Sequence, residues 1–157
     1  IQSNKAKQLI DGVPNLIVVE TLDSMKLARK LNRALEATDP SGERQLRVFL
    51  QVDTSGEDTK SGISTEQAPE LARSIVAECP RLILNGLMTI GAPGDSSCFT
   101  RLSDCRIAVA SVLAREPTSL ELSMGMSGDF EEAILHGASS VRVGSTIFGA
   151  RDYSKKT

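Results

Sequence analysis

The sequence reads as a parallel sheet covered by helices, on three grounds. Apolar runs rich in leucine and β-branched residues alternate with amphipathic helical patterns along the chain. The first strand starts fall roughly 30 to 40 residues apart, the length of a strand–helix–strand unit. Small and polar residues collect at the C-terminal end of nearly every strand: Glu20 and Thr21, Asp53 to Gly56, Thr89 to Gly91, Ser127 and Gly128, Gly144 to Thr146. Parallel α/β folds bind their ligands at that end. The pattern fits a doubly wound sheet or part of a (β/α)8 barrel. No GxGxxG follows a strand, which takes support from a dinucleotide fold.

The elements follow in order. "NLIVVET" (Asn15 to Thr21) is a β-branched run and reads as the first strand. A helix runs on from Asp23, with Met25, Leu27, Ala28, Leu31 and Leu35 on one face and Asp23 or Ser24 as its cap. "LRVFLQVDT" (Leu46 to Thr54) is the second strand. Ser64 and Gln67 form a capping-box pattern before a helix whose buried stripe is expected to include Leu71, Ile75 and Val76. "LILNGLMTIG" (Leu82 to Gly91) is the third strand, followed by a helix marked by Phe99, Leu102, Val109, Val112 and Leu113 and ending near Ala114. "LELSMGMS" (Leu120 to Ser127) is the fourth strand. A short helix then starts near Asp129 and stops at Gly137. "VRVGSTIFG" (Val141 to Gly149) is the fifth strand, breaking into a loop at Gly144, Ser145 and Thr146.

Composition narrows the function classes. The 157 residues suit one domain, and 40% hydrophobic with 24% charged is ordinary for a globular protein. A net charge of -2 supplies no basic field for nucleic acid, and with no Trp, one Tyr and four Phe the chain lacks stacking platforms. No apolar run approaches the roughly 18 residues of a membrane span. Cys79, Cys98 and Cys105 are widely spaced, with no CxxC, and read as reduced thiols of an intracellular protein. His136 is the only histidine, which argues against a metal site; at a helix end it favours the macrodipole.

Two loops at the end of the sheet draw attention. Ser127-Gly128 and Gly144-Ser145 combine hydroxyls with glycines that let a backbone approach a ligand, as a phosphate site requires. They are equally readable as ordinary loop residues. Arg142 shares a strand side with Gly144 by alternation. A buried arginine needs an acceptor, either a structural partner in Asp53 or Glu121 or an acceptor on a ligand. Met126 reads as a ligand contact or as core, and the polar stretch Thr54 to Gly62 as a cofactor mouth or a plain turn.

"IQSNKAKQLI", "VPNLIVVETLDSMKLARKLN", "QVDTSGEDTKSGI", "GLMTIG", "LELSMGMSGDFEEAILHGASS" and "VRVGSTIFGARDY" together make the chain resemble the pyridoxal phosphate homeostasis proteins, which share the fold of the alanine racemase N-terminal domain. The resemblance covers essentially all 157 residues. It implies a (β/α)8 barrel binding pyridoxal 5′-phosphate, with Ser127, Gly144 and Ser145 at the phosphate and Arg142 facing the pyridine nitrogen. An arginine there leaves that nitrogen unprotonated and the ring a weaker electron sink. The implied role is a non-catalytic carrier that buffers and delivers the cofactor to apo-enzymes, as a cytoplasmic monomer; organellar placement stays open. An amino-acid racemase or decarboxylase on the same barrel, and a cofactor-free truncated paralogue, remain as alternatives.

The family's Schiff-base lysine lies on a strand before "IQSNK", where this chain begins. The expectation is therefore an incomplete barrel domain over residues 1–157, about the last five strand–helix units, with the first three strands and the lysine anchor missing. Lys5, Lys7, Lys26, Lys30 and Lys60 read as helix or loop surface. Tyr153, the only tyrosine, matches no racemase base.

Overall fold

The structure, a computed structural model, describes residues 1–56 and 61–149. A 3-10 turn (Ser3–Lys5) leads into α1 (Ala6–Gly12), β1 (Val18–Leu22), α2 (Met25–Thr38), β2 (Leu46–Asp53) and the two-residue β3 (Ile63–Ser64). Then come α3 (Ala68–Glu78), β4 (Leu82–Met88), α4 (Ser97–Val112), β5 (Glu121–Met126), α5 (Phe130–Leu135), β6 (Ser140–Arg142) and α6 (Ser145–Phe148). The sheet order is β1-β2-β4-β5-β6, with β3 on β2, and every pairing is parallel. This is the expected five-strand arc of an α/β barrel.

Strand alternation explains the two faces. Leu46, Val48, Leu50 and Val52 of β2 point to the helices and join one core with Leu82, Leu84 and Leu87 of β4 and Leu122 of β5. Each leucine fully buried there is worth about 1.5–3 kcal/mol relative to exposure. On α2, Leu27, Ala28, Leu31, Ala34 and Leu35 return the same face at helical spacing. Ser24 is the cap of the expected pair: its Oγ accepts from the Leu27 amide at 3.4 Å.

The capping box forms reciprocally. The Gln67 amide donates to Ser64 Oγ at 3.3 Å, and the Ser64 amide to Gln67 Oε1 at 3.5 Å. The regular helix starts one residue later, at Ala68. Its buried stripe is Ala68, Ala72, Ile75 and Cys79. Val76, expected in that stripe, is 52% exposed because it lies one residue off the i, i+4, i+7 line.

Two glycines set the geometry of the last strands. A Cβ on Gly86 would lie 2.1 Å from the Glu121 carbonyl oxygen and 2.8 Å from the Phe49 ring, so only glycine lets β4 approach β5 here. Gly125 has φ +90°, and a Cβ there would lie 2.5 Å from that of Ala133. It sits where the β5–β6 register shifts between Ser123 and Met126.

The fifth strand differs from expectation. Pairing stops at Arg142, and Ser145–Phe148 form a turn of helix instead of extended chain. The amides of Ile147 and Phe148 both donate to the Gly144 carbonyl at 2.9 Å. Cys79, Cys98 and Cys105 are free and buried, as expected of reduced thiols. Burial, with the charge of Glu66, pushes the Cys105 thiol up to about 12. No described helix is long and apolar enough to cross a membrane.

Candidate functional site

The site is built on the C-terminal ends of β4, β5 and β6. Arg142, the last residue of β6, turns its guanidinium across the sheet. Nη1 donates to Ser123 Oγ at 2.7 Å, and Nη2 donates to the Thr89 carbonyl at 2.7 Å. Ser123 is fully buried, and its hydroxyl donates to Glu20 Oε2 at 2.8 Å. Glu20 is on β1, at the other end of the arc. The arc is therefore curled enough for a β1 side chain to reach β5 through its concave interior.

Thr89 is itself fixed. Its amide donates to the Ser123 carbonyl at 3.1 Å, and its hydroxyl shares a 2.9 Å hydrogen bond with that of Thr54. Burial lowers the pKa of Arg142, and the charges of Glu20 and Asp129 oppose that shift. Arg142 thus bonds to Ser123 and Thr89, and not to Asp53 or Glu121, the structural alternatives expected. The Asp53 carboxylate accepts from Ser55 and Gly56, and Glu121 is exposed. Among the described residues, two of the five guanidinium N–H donors have acceptors.

A second group lies beside it. Ser127 Oγ accepts from the Gly144 amide at 2.9 Å and from the Thr146 amide at 3.3 Å. The two expected loops thus meet, and backbone amides converge on one oxygen. Gly144, Ser145 and Thr146 are exposed, and no atom lies within 4 Å of a Cβ placed on Gly128 or Gly144. Met126 ends β5 and is partly buried; its amide donates to Asp129 Oδ1 at 2.6 Å. Asp129 therefore closes the turn after β5, and its side chain leaves the amides of α5 uncapped.

A cavity of about 620 Å³ adjoins Ser127 and Gly128. Glu131, Glu132 and Leu135 wall it, and Arg142 does not line it. With Asp129 also in its lining, three carboxylates there oppose an anion.

Arg142, Ser127, Gly144 and Ser145, singled out in the sequence, lie at adjacent strand ends; Ser123, which joins Arg142 to Glu20, was not singled out. The signal was present: Ser123 is a polar residue between Leu122 and Met124 in an otherwise apolar strand, and a buried hydroxyl needs partners. Also missed was the cluster at the ends of β2 and β4, where Arg101 Nε donates to the Thr54 carbonyl at 2.6 Å and Nη2 to Asp95 Oδ2 at 2.7 Å. His136 lies at the end of α5 as expected, with Nδ1 2.9 Å from the Glu132 carbonyl. Lys60, Tyr153 and the central part of the Thr54 to Gly62 loop lie outside the described residues. Lys5, Lys7, Lys26 and Lys30 are exposed on the first turn and on α1 and α2.

Comparisons with known proteins bear on this arrangement. The family model described as "Alanine racemase, N-terminal domain" matches residues 3–152. A pyridoxal phosphate homeostasis protein of Bos taurus is 45% identical over 163 residues, covering 100% of this chain and 59% of its own. The structure of PipY from Synechococcus elongatus with pyridoxal phosphate bound aligns with a TM-score of 0.70 at 26% identity, covering 95% of this chain and 67% of its own. An alanine racemase of Clostridium difficile aligns with a TM-score of 0.65 at 14% identity over 100% of this chain and 40% of its own, a likeness of fold alone. The chain spans about 59% of the length of the curated relative it matches.

Proposed function

This chain belongs to the alanine racemase N-terminal domain family, alongside proteins named for pyridoxal phosphate homeostasis, and from that membership we propose that it binds pyridoxal 5′-phosphate. The observation that carries the proposal is the pairing of two donor groups on adjacent strand ends. One is a guanidinium with donors to spare, and the other is a hydroxyl on which two amides converge. A phosphorylated pyridine offers acceptors of both kinds.

The donor chemistry fits the cofactor. Ser127, Ser145 and the amides of Gly144 and Thr146 would hold the phosphate, the hydrogen bonds to Ser127 Oγ being exchanged for bonds to phosphate oxygens. Arg142 would face the ring nitrogen and Met126 would pack against the ring. When bound, the cofactor supplies an electrophilic carbonyl and an electron sink through its ring. Arg142 is a donor that cannot be deprotonated in a protein, so it would keep the ring nitrogen an unprotonated acceptor. A carboxylate there would do the reverse.

A ring with an unprotonated nitrogen suits a carrier that buffers and delivers the cofactor to apo-enzymes better than a racemase or decarboxylase. The same reading takes residues 1–157 as part of one barrel domain, the remainder corresponding to the additional length of the relatives.

The test is made on the complete gene product. Titration with pyridoxal 5′-phosphate, followed by absorbance, is expected to saturate at one equivalent. Ser127→Ala with Ser145→Ala is expected to weaken pyridoxal 5′-phosphate and leave pyridoxal unaffected. Transfer of the bound cofactor to an apo-transaminase, without racemisation of alanine, is the expected carrier behaviour. Absence of binding overturns the proposal, and sustained racemisation overturns its carrier part.

A further inference from the structure

We infer that Glu20 is a positioning residue for Arg142, acting through Ser123 to fix how the guanidinium meets the ring of the bound cofactor. The inference rests on the proposed function for the identity of that ligand. Its geometry does not.

A serine hydroxyl has one proton and two lone pairs. In isolation it rotates and serves as donor or acceptor to whatever approaches. The Glu20 carboxylate is acceptor-only, and it takes the Ser123 proton at 2.8 Å. A lone pair of Ser123 Oγ is then left for Arg142 Nη1 at 2.7 Å. Arg142 can only donate, so the three groups fit in one polarity: Arg142 to Ser123 to Glu20.

Thr89 supplies the second fixed point, because its carbonyl accepts from Nη2 at 2.7 Å. A guanidinium is planar and rigid, so two fixed acceptors determine its plane and the direction of its remaining donors. Those acceptors come from β5 and from the end of β4, and the carboxylate behind them comes from β1. The ligand-facing donors of β6 are thereby set by three other strands.

The arrangement also places a carboxylate one hydroxyl away from a partly buried guanidinium. A carboxylate bonded directly to Arg142 would consume the donors that a ligand needs. With Ser123 between them, Glu20 stabilises the charge and leaves the outer donors available.

The test uses the complete gene product and three probes: pyridoxal 5′-phosphate, pyridoxal and inorganic phosphate. Glu20→Leu is expected to weaken pyridoxal 5′-phosphate and pyridoxal about tenfold, the scale of one charge-assisted hydrogen bond lost. It is expected to shift the absorption band of the bound ring and to leave inorganic phosphate affinity unchanged. Glu20→Gln, which keeps an acceptor for the Ser123 proton, is expected to restore most of the affinity. Ser123→Ala is expected to match Glu20→Leu, with no added loss in the double variant. Thermal unfolding of each variant separates misfolding from mispositioning.

A wild-type band and affinity in Glu20→Leu overturns the inference while leaving the proposed function standing. So do losses from Glu20→Leu and Ser123→Ala that add, or equal loss of inorganic phosphate. Absence of pyridoxal 5′-phosphate binding by the wild-type protein overturns both.

Discussion

Arg81 and Arg142 are the same side chain put to opposite uses at opposite ends of the sheet. Arg81 precedes β4 at the N-terminal end of the strands. Its Nη1 lies 3.2 Å from Asp39 Oδ2 and donates to the Arg44 carbonyl at 3.2 Å, while Nη2 donates to the Asp39 carbonyl. Its amide donates to Asn32 Oδ1 at 2.9 Å. That cation is neutralised directly by a carboxylate and ties the α2–β2 loop to β4. Arg142 meets its carboxylate only through a hydroxyl, and it keeps donors in reserve. A directly paired arginine is structural; an arginine paired at one remove is available to a ligand. The same division holds for the two ends of α/β barrels, where one end serves stability and the other chemistry.

Four experiments test this contrast. The largest effect is expected from Arg81→Ala, a loss of about 2–3 kcal/mol from several charge-assisted hydrogen bonds, read by urea denaturation. A loss no larger than that of the Arg142 variant would break the comparison.

Next is the acid limb of stability. Hydrogen bonds from the Ser41 hydroxyl and the Arg44 amide, with Arg81, hold Asp39 at about 2, below its ordinary 3.8. Its folded value is the lower one, so its contribution is complete above 3.8 and is lost as pH falls through about 2. Asp39→Asn is expected to flatten stability between these two pH values, seen in denaturation midpoints across the range.

Third, Ser123→Ala is expected to cost about 1 kcal/mol, because it strands an N–H of Arg142 and an oxygen of Glu20 that are only partly shielded from water. Calorimetric melting without ligand would show it.

The smallest effect is expected from Arg142→Met, which keeps most of the volume and removes a partly buried charge. A change within about 1 kcal/mol would mark Arg142 as dispensable to the fold. A larger loss would make it structural, like Arg81.

The strands and the helix-facing core were legible because their signals are local. β-branched runs, helical spacing and a capping box depend on residues within a few positions of each other, and the elements stand where those signals are. Val76 was misplaced because a helical stripe is narrower than a run of apolar residues. The end of the fifth strand was misplaced because Ser145 to Phe148 carry no strong helix signal; Gly144 provides the carbonyl that closes their turn. At the site, Ser127, Gly144 and Arg142 stood out as unusual residues near strand ends. Their partners did not. Thr89 acts through its backbone carbonyl, which no side-chain motif reports. Glu20 is 103 positions from Ser123, and only the curl of the sheet brings them together.

That separation has a consequence for how the molecule assembles in time. The sheet contacts β1–β2, β2–β4, β4–β5 and β5–β6 each join neighbours in the order of the strands, so each closes a modest loop and the arc can grow unit by unit. The hydrogen bond from Ser123 to Glu20 closes the largest of these loops, and it is satisfied only after every intervening strand has docked. Folding kinetics should therefore find Glu20 with a φ-value near zero while Leu50 and Leu87, in the central pair, have higher ones. The orientation of Arg142 set through Ser123 and Glu20 therefore follows the docking of β1, β2, β4 and β5.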